Sequence, residues 1–147
     1  MYQRILIPTD GSRVATKGIK AGVELAKTAG ASIVGYHAVE PIERIYYVEG
    51  AGISAGQVRA IEKQLRELAE RYLDVLRKAA KAAGVACETL VTTPADPYLG
   101  IIEAAKAKRC DVICMASHGR GAIASAVLGN VTHKVLTHSK VPVLVCR

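Results

Sequence analysis

Two short segments of the 147-residue chain hold residue types whose spacing suits ligand chemistry. The first is Pro8-Thr9-Asp10-Gly11. The second is Ser117-His118-Gly119-Arg120-Gly121, followed one stretch later by Gly129-Asn130-Val131-Thr132. Glycine lets backbone approach a ligand closely. A helix that starts behind such a turn offers free N–H groups and the positive end of its dipole to a phosphate. Arg120 adds a fixed charge for the same anion. Asp10 is an acceptor-only carboxylate, able to take hydrogen bonds from ribose hydroxyls or an adenine amino group, or to hold Mg²⁺. A purely structural reading stands beside this one: Gly119 and Gly121 make a tight turn, and Asp10 caps the first helix. Spacing alone leaves both open.

The elements that must position these residues follow from the hydrophobic pattern. Arg4–Thr9 is a short apolar run ending in Pro-Thr-Asp-Gly, a buried strand and then a turn. Ser12 is placed to cap a helix running through Ile19, Val23 and Ala26 to Gly30. Ser32–Val39 reads as a second strand and Glu40–Gly56 as a long loop. A long helix follows, with Val58, Ile61, Leu65, Leu68, Tyr72, Leu76 and Ala79 on its packed face, stopping at Gly84. Ala86–Thr92 is the third strand. Asp96 caps the next helix, with Pro97 in its first turn and Tyr98, Ile101, Ile102 and Ala105 facing inward. Asp111–Ala116 is the fourth strand, 123–137 the last helix, and Val141–Cys146 the fifth strand. Strands apolar on both faces, alternating with helices, predict an α/β fold: a single-domain, five-stranded, doubly wound parallel sheet covered on both sides, over residues 1–147. In such sheets a ligand sits outside the carboxyl ends of the strands, where strand order reverses. Both candidate segments fall at strand ends of that kind.

Composition narrows the function classes. Six Tyr with no Phe or Trp leave a core of Val, Ile, Leu and Ala. The net charge of +7 is spread among acidic residues, as in Lys63, Arg66, Glu67, Glu70 and Arg71, so no basic block marks a nucleic-acid binder. No signal peptide and no apolar run of membrane length is read, which places the chain in the cytoplasm without a membrane partner. Cys87, Cys110, Cys114 and Cys146 then read as small buried hydrophobes. Cys110 and Cys114 lack a second pair at metal-site spacing, and no metal ligands are assigned.

Three other motif readings fail on context. Gly119-Arg120-Gly121-Ala122-Ile123-Ala124 fits a dinucleotide fingerprint, G-x-G-x-x-A, but the acid expected about 20 residues on is missing. Gly52-Ile53-Ser54-Ala55-Gly56 fits a nucleophile elbow, G-x-S-x-G, but lies in a long loop with no oxyanion motif or ordered acid and histidine partners. A phospho-acceptor receiver needs an Asp after strand three, where Thr92-Thr93-Pro94 stands, and a Lys after strand five. The four histidines show no ligand spacing. His37 reads as a satisfied, half-buried histidine, and His118 as a phosphate contact or a brace for its own turn.

The opening ILIPTDGS, the long second helix, the stretch MASHGRGAIASAVLGNVTHKVL and the closing VPVLV together resemble the universal stress protein family over nearly the whole chain. The resemblance implies an adenine nucleotide alpha hydrolase-like fold. ATP-binding members carry Gly, two residues, Gly, nine residues, then Gly and Ser or Thr. Those positions are Ala116, Gly119, Gly129 and Asn130 here, so both later glycines and the nine-residue spacing are kept while the first glycine and the hydroxyl are replaced. By that resemblance Asp10, beside Thr9, meets the ribose or base edge, and Ala38 offers backbone to adenine. Pro8 and Met115 line the base, and Gly119, Arg120, Gly129, Asn130 and Val131 hold the phosphates of ATP, with Mg²⁺ as a companion ion. The family also dimerises through its last strand, and Val141–Cys146 is an uncharged apolar edge that calls for such a cover, with Pro142 removing one donor. No general base is paired with a positioned nucleophile, so no catalytic residues are assigned and hydrolysis is at most slow. The competing expectation is a nucleotide-free dimeric interaction protein in which Ala116 and Asn130 mark a decayed site.

Overall fold

Five apolar runs become five parallel strands. The computed structural model describes residues 1–45, 52–119 and 128–147. Its elements in chain order are β1 Arg4–Pro8, α1 Ala15–Ala29, β2 Ser32–Ala38, α2 Ile42–Ile45, α3 Ala55–Ala82, β3 Cys87–Thr92, α4 Pro97–Ala107, β4 Val112–Ala116, α5 Asn130–His138 and β5 Val143–Cys146. The strands form one sheet in the order β3-β2-β1-β4-β5. Every neighbouring pair is parallel, with Leu6 opposite Val34 on one side and Ile113 on the other.

Side chains alternate across this sheet, so each strand contributes to two cores. Ile5, Ile7, Ile33, Val112 and Cys114 face α1 and α3, meeting Ile19, Val23, Ala26, Leu76 and Ala80. Leu6, Val34, Tyr36, Ile113 and Met115 face the opposite way, meeting Ile101, Ala104 and Ala105 of α4 and Val135 of α5. The doubly wound α/β sheet expected from the sequence is the fold found.

Four local expectations are corrected. The segment 40–56 is not a plain loop: Ile42–Ile45 is a helical turn, and α3 begins at Ala55, with 46–51 outside the described residues. Ser54 starts α3 with a capping box, its Oγ accepting the Gln57 N–H while the Gln57 Oε1 accepts the Ser54 N–H. Asp96 precedes α4 but makes no side-chain cap; its carboxylate pairs with Arg44 Nη1 at 3.2 Å. The buried stripe of α3 is Ala69, Leu73, Leu76 and Ala80, one residue round from the expected face, whose other members stay half-buried. The last helix begins at Asn130: within its expected span Leu128 and Gly129 are not helical, and residues 123–127 lie outside the described ones. Among the described residues, no helix is long and apolar enough to cross a membrane.

Gly18 and Gly22 on α1 are sites of close packing. A Cβ on Gly18 would stand 2.8 Å from the Ala116 backbone nitrogen, so the missing side chain lets α1 lie directly against the end of β4. Gly56, in the first turn of α3, faces open space apart from Ser54 Oγ at 3.9 Å. Helix propensity favours Ala over Gly at both positions, so packing decides the sign. Gly18→Ala is expected to destabilise by about 1–3 kcal/mol through overpacking. Gly56→Ala should be neutral or stabilise by up to about 1 kcal/mol. Urea denaturation of the two variants checks this, and equal effects would contradict it.

Candidate functional site

β1 lies between β2 and β4, so the chain leaving its carboxyl end has a neighbouring strand end on each side. This is the strand-order reversal where a crevice opens in a sheet of this type. The turn after β1 is held by its own side chains. Thr9 is buried and donates its N–H to the Tyr36 carbonyl at 2.9 Å, while its Oγ1 accepts the Gly11 N–H at 3.2 Å. Asp10 Oδ1 accepts the Ser12 N–H at 2.9 Å, an Asx turn that fixes the carboxylate. Ser12 Oγ accepts the Ala15 N–H at 3.1 Å and so opens α1 as expected. Gly11 has φ +75°, and a side chain there would run into the Tyr72 ring of α3.

His37 braces this turn from β2. Its Nδ1 lies 2.7 Å from the Thr9 carbonyl oxygen. A carbonyl can only accept, so Nδ1 carries the proton and donates. The ring meets Tyr72 edge-on at 5.3 Å. Neither His37 nor Tyr72 stands among the expected site residues. No local pattern marks them, because both reach Thr9 and Gly11 through tertiary packing.

The turn after β4 closes on the start of α5. Ser117 donates its N–H to the Cys146 carbonyl at 2.8 Å, and its own carbonyl accepts the Gly129 N–H at 2.8 Å. Thr132, buried in the first turn of α5, donates its Oγ1–H to the Ala116 carbonyl at 3.0 Å. Ser117 Oγ and His118 Nδ1 are 2.8 Å apart. Ser117 is only 3% exposed, so this pair braces the turn and does not present a nucleophile. A Cβ on Gly129 would stand 3.1 Å from His118 Cα and 3.3 Å from the Ser117 carbonyl oxygen. A Cβ on Gly119 would stand 2.7 Å from Asp10 Oδ2. These distances bring the β1 carboxylate, the β4 glycine turn and the start of α5 into one place.

The remaining expected residues fall around it. Pro8 ends β1, half-buried and opposite Tyr36; Ala38 ends β2, half-buried and opposite Thr92. Met115 and Ala116 end β4, both buried, with Met115 packed in the core beneath α4 and α5. Gly129 precedes α5 in an extended conformation and supplies no side-chain cap, and Asn130 and Val131 are the first two helical residues. The first amides of a helix have no partner within it. Arg120 lies outside the described residues. Among the described residues, no group of three or more His, Cys, Asp or Glu is arranged to hold a metal.

The profile described as the universal stress protein family matches residues 1–147. The chain belongs to the universal stress protein family. Universal stress protein MJ0531 of Methanocaldococcus jannaschii is 30% identical over 150 residues, covering 100% of this chain and 83% of that protein. The solved structure of MJ0577 has a TM-score of 0.83 at 27% identity, covering 99% of this chain and 96% of that one. A universal stress protein solved in complex with cAMP has a TM-score of 0.70 at 23% identity, covering 99% of this chain and 97% of that one. One from Archaeoglobus fulgidus solved in complex with dAMP has a TM-score of 0.61 at 17% identity, covering 99% and 98%. In this universal stress protein the described β4 turn is held by backbone bonds, by the Ser117–His118 pair and by the buried Thr132 hydroxyl. Thr132→Val keeps the shape but leaves the Ala116 carbonyl without that donor, and should cost about 1–3 kcal/mol of stability. Unfolding monitored by circular dichroism measures it; an unchanged denaturation midpoint would contradict the assigned role.

Proposed function

We propose that residues 1–147 form a single universal stress protein domain that binds an adenine nucleotide, ATP with Mg²⁺ in its full form, in the crevice between the ends of β1 and β4. The carrying observation is the meeting of Asp10, Gly119 and Gly129 at the start of α5, the last two where a Cβ would crowd the turn. This is a cradle with an acid on one wall and helix N–H groups on the other, which is what a nucleoside phosphate requires. The cAMP and dAMP complexes of structurally similar proteins support the adenine assignment. Asp10 takes the ribose or base edge and the Ala38 backbone the adenine, with Pro8, Thr9 and Met115 around the base. Gly119, Arg120, Gly129, Asn130 and Val131 receive the phosphates.

Two positions depart from the ATP-binding pattern, and both fit. Ala116 replaces a glycine, but it is a β4 residue, and Arg109 is the non-glycine with positive φ among the described residues. The alanine methyl therefore costs no backbone strain. Asn130 opens α5 and keeps a polar side chain where a hydroxyl is usual. With Asp10 engaged by its own turn and Ser117 buried, the residues bind and orient. The module senses or signals with slow or no hydrolysis.

The same reading includes a homodimer through β5. Among the described residues that strand pairs with β4 alone, and it exposes Leu144 at 43%, an apolar edge that a second copy would cover. It also places the protein in the cytoplasm, in keeping with four unbridged cysteines. The test is calorimetric titration with ATP-Mg²⁺ and AMP, after small molecules released from the freshly purified protein have been identified. Adenine nucleotide is expected to bind, and Asp10→Ala to weaken it about tenfold or more by removing a charged acceptor. A wild-type protein that ignores millimolar nucleotide would replace this reading with that of a nucleotide-free interaction protein. An unaltered affinity in Asp10→Ala would remove Asp10 from the site.

A further inference from the structure

Two thiols with no part in the nucleotide crevice face each other across the β4–β5 ladder. Cys114 Sγ and Cys146 Sγ are 3.7 Å apart, and both cysteines are free. The register sets Cys114 opposite Leu144 and Ala116 opposite Cys146, so the two are diagonal neighbours whose side chains share the α1 face. Cys114 is fully buried, with its sulfur 3.8 Å from the Gly18 carbonyl oxygen. Burial and the second sulfur push its pKa up, so it rests as a thiol. Cys146 is half-buried with its side chain on the α1 face of the sheet, away from the strand edge that a second copy would cover, and a small oxidant meets it from that face.

We propose that Cys114 and Cys146 form a reversible intramolecular disulfide, a thiol switch built against the turn that follows β4. The oxidant class is a peroxide. The Cys146 thiolate attacks one peroxide oxygen; an S–O bond forms, the O–O bond breaks, and the departing hydroxide takes a proton to become water. The sulfur of Cys114 then attacks the Cys146 sulfenic acid. The S–S bond forms, the S–O bond breaks, and the hydroxyl leaves as water with the Cys114 proton. Two thiols have lost two electrons and one hydrogen peroxide has become two waters.

The bond asks for movement. A disulfide needs its sulfurs about 2.05 Å apart, so they must close by more than an ångström from their resting separation. The displacement falls on β5, which within the chain neighbours β4 alone among the described residues. The Cys146 carbonyl is the acceptor for the Ser117 N–H, and the Ser117 carbonyl is the acceptor for the Gly129 N–H. Drawing Cys146 toward Cys114 therefore loosens the first bond of the turn.

The experiment treats the reduced full chain with one equivalent of hydrogen peroxide at low protein concentration. Intact mass, peptide mapping and amide hydrogen exchange then read the product, without nucleotide present. The expected product is a monomeric chain lacking two hydrogens, with a Cys114–Cys146 cross-linked peptide that thiol reductant reverses. The Ser117 amide should exchange at least threefold faster in that product. Cys146→Ser, a conservative change at a half-buried edge, should abolish the cross-link, whereas Cys87→Ser should leave it. Cross-links through Cys87 or Cys110, or a Cys146 sulfinic acid beside a still alkylatable Cys114, would overturn the assignment. An unchanged Ser117 exchange rate would overturn the coupling to the turn.

Discussion

The central strand β1 must bury both its faces and pair along both its edges. Ile5, Leu6 and Ile7 are each fully buried, with Ile5 and Ile7 turned toward α1 and α3 and Leu6 toward α4 and α5. With β2 on one side and β4 on the other, the polar residues that follow it are left between two strand ends. The crevice is thus a consequence of where the strand order turns. Arg4–Pro8 is only five residues long, and a polar turn opened by the buried Thr9 follows it directly.

Positioning then depends on how closely the backbone can pack. Gly18 brings α1 onto the end of β4, Gly119 lies against the Asp10 carboxylate, and Gly129 lies against the turn at Ser117 and His118. Around these approaches most hydrogen bonds are between backbone groups or run from short side chains to backbone: Thr9, Asp10, Ser12 and Thr132 each hold a turn or a helix start. Short side chains lose little rotamer freedom when ordered. Turns held in this way by their own backbone and short side chains have little ordering left to do.

Much of this is legible in the amino-acid order. The five apolar runs mark the five strands to within two residues at either end, most sharply at β4, where a strand buried on both faces has no polar position to blur its limits. Asp10 and Gly119 are readable because each closely follows such a run, and Gly129 because its nine-residue spacing from Gly119 is that of the family pattern. The Ser54–Gln57 box was readable too, yet a run of small residues around it reads as loop. The packed face of α3 is offset by one residue from its apolar stripe because only its second half lies on the sheet, where Leu73 and Leu76 meet Gly35. Asp96 looks like a cap by its place before Pro97, but Arg44, far away in sequence, takes the carboxylate. His37 and Tyr72 escape for the same reason. Their contacts to Thr9 and Gly11 join three elements, and no local period encodes a three-element contact.

The central claim is that the Asp10 turn, the Gly119 turn and the start of α5 act as one adenine-nucleotide site. Amide chemical-shift mapping of the isotope-labelled protein during an AMP titration tests it most directly. The account predicts saturable shifts at Asp10, Gly11, Val39, Gly119, Gly129, Asn130 and Val131, with the amides of Cys87 and Glu88, at the far end of β3, unmoved. Shifts confined to the exposed face of α3, or none at millimolar nucleotide, would contradict it.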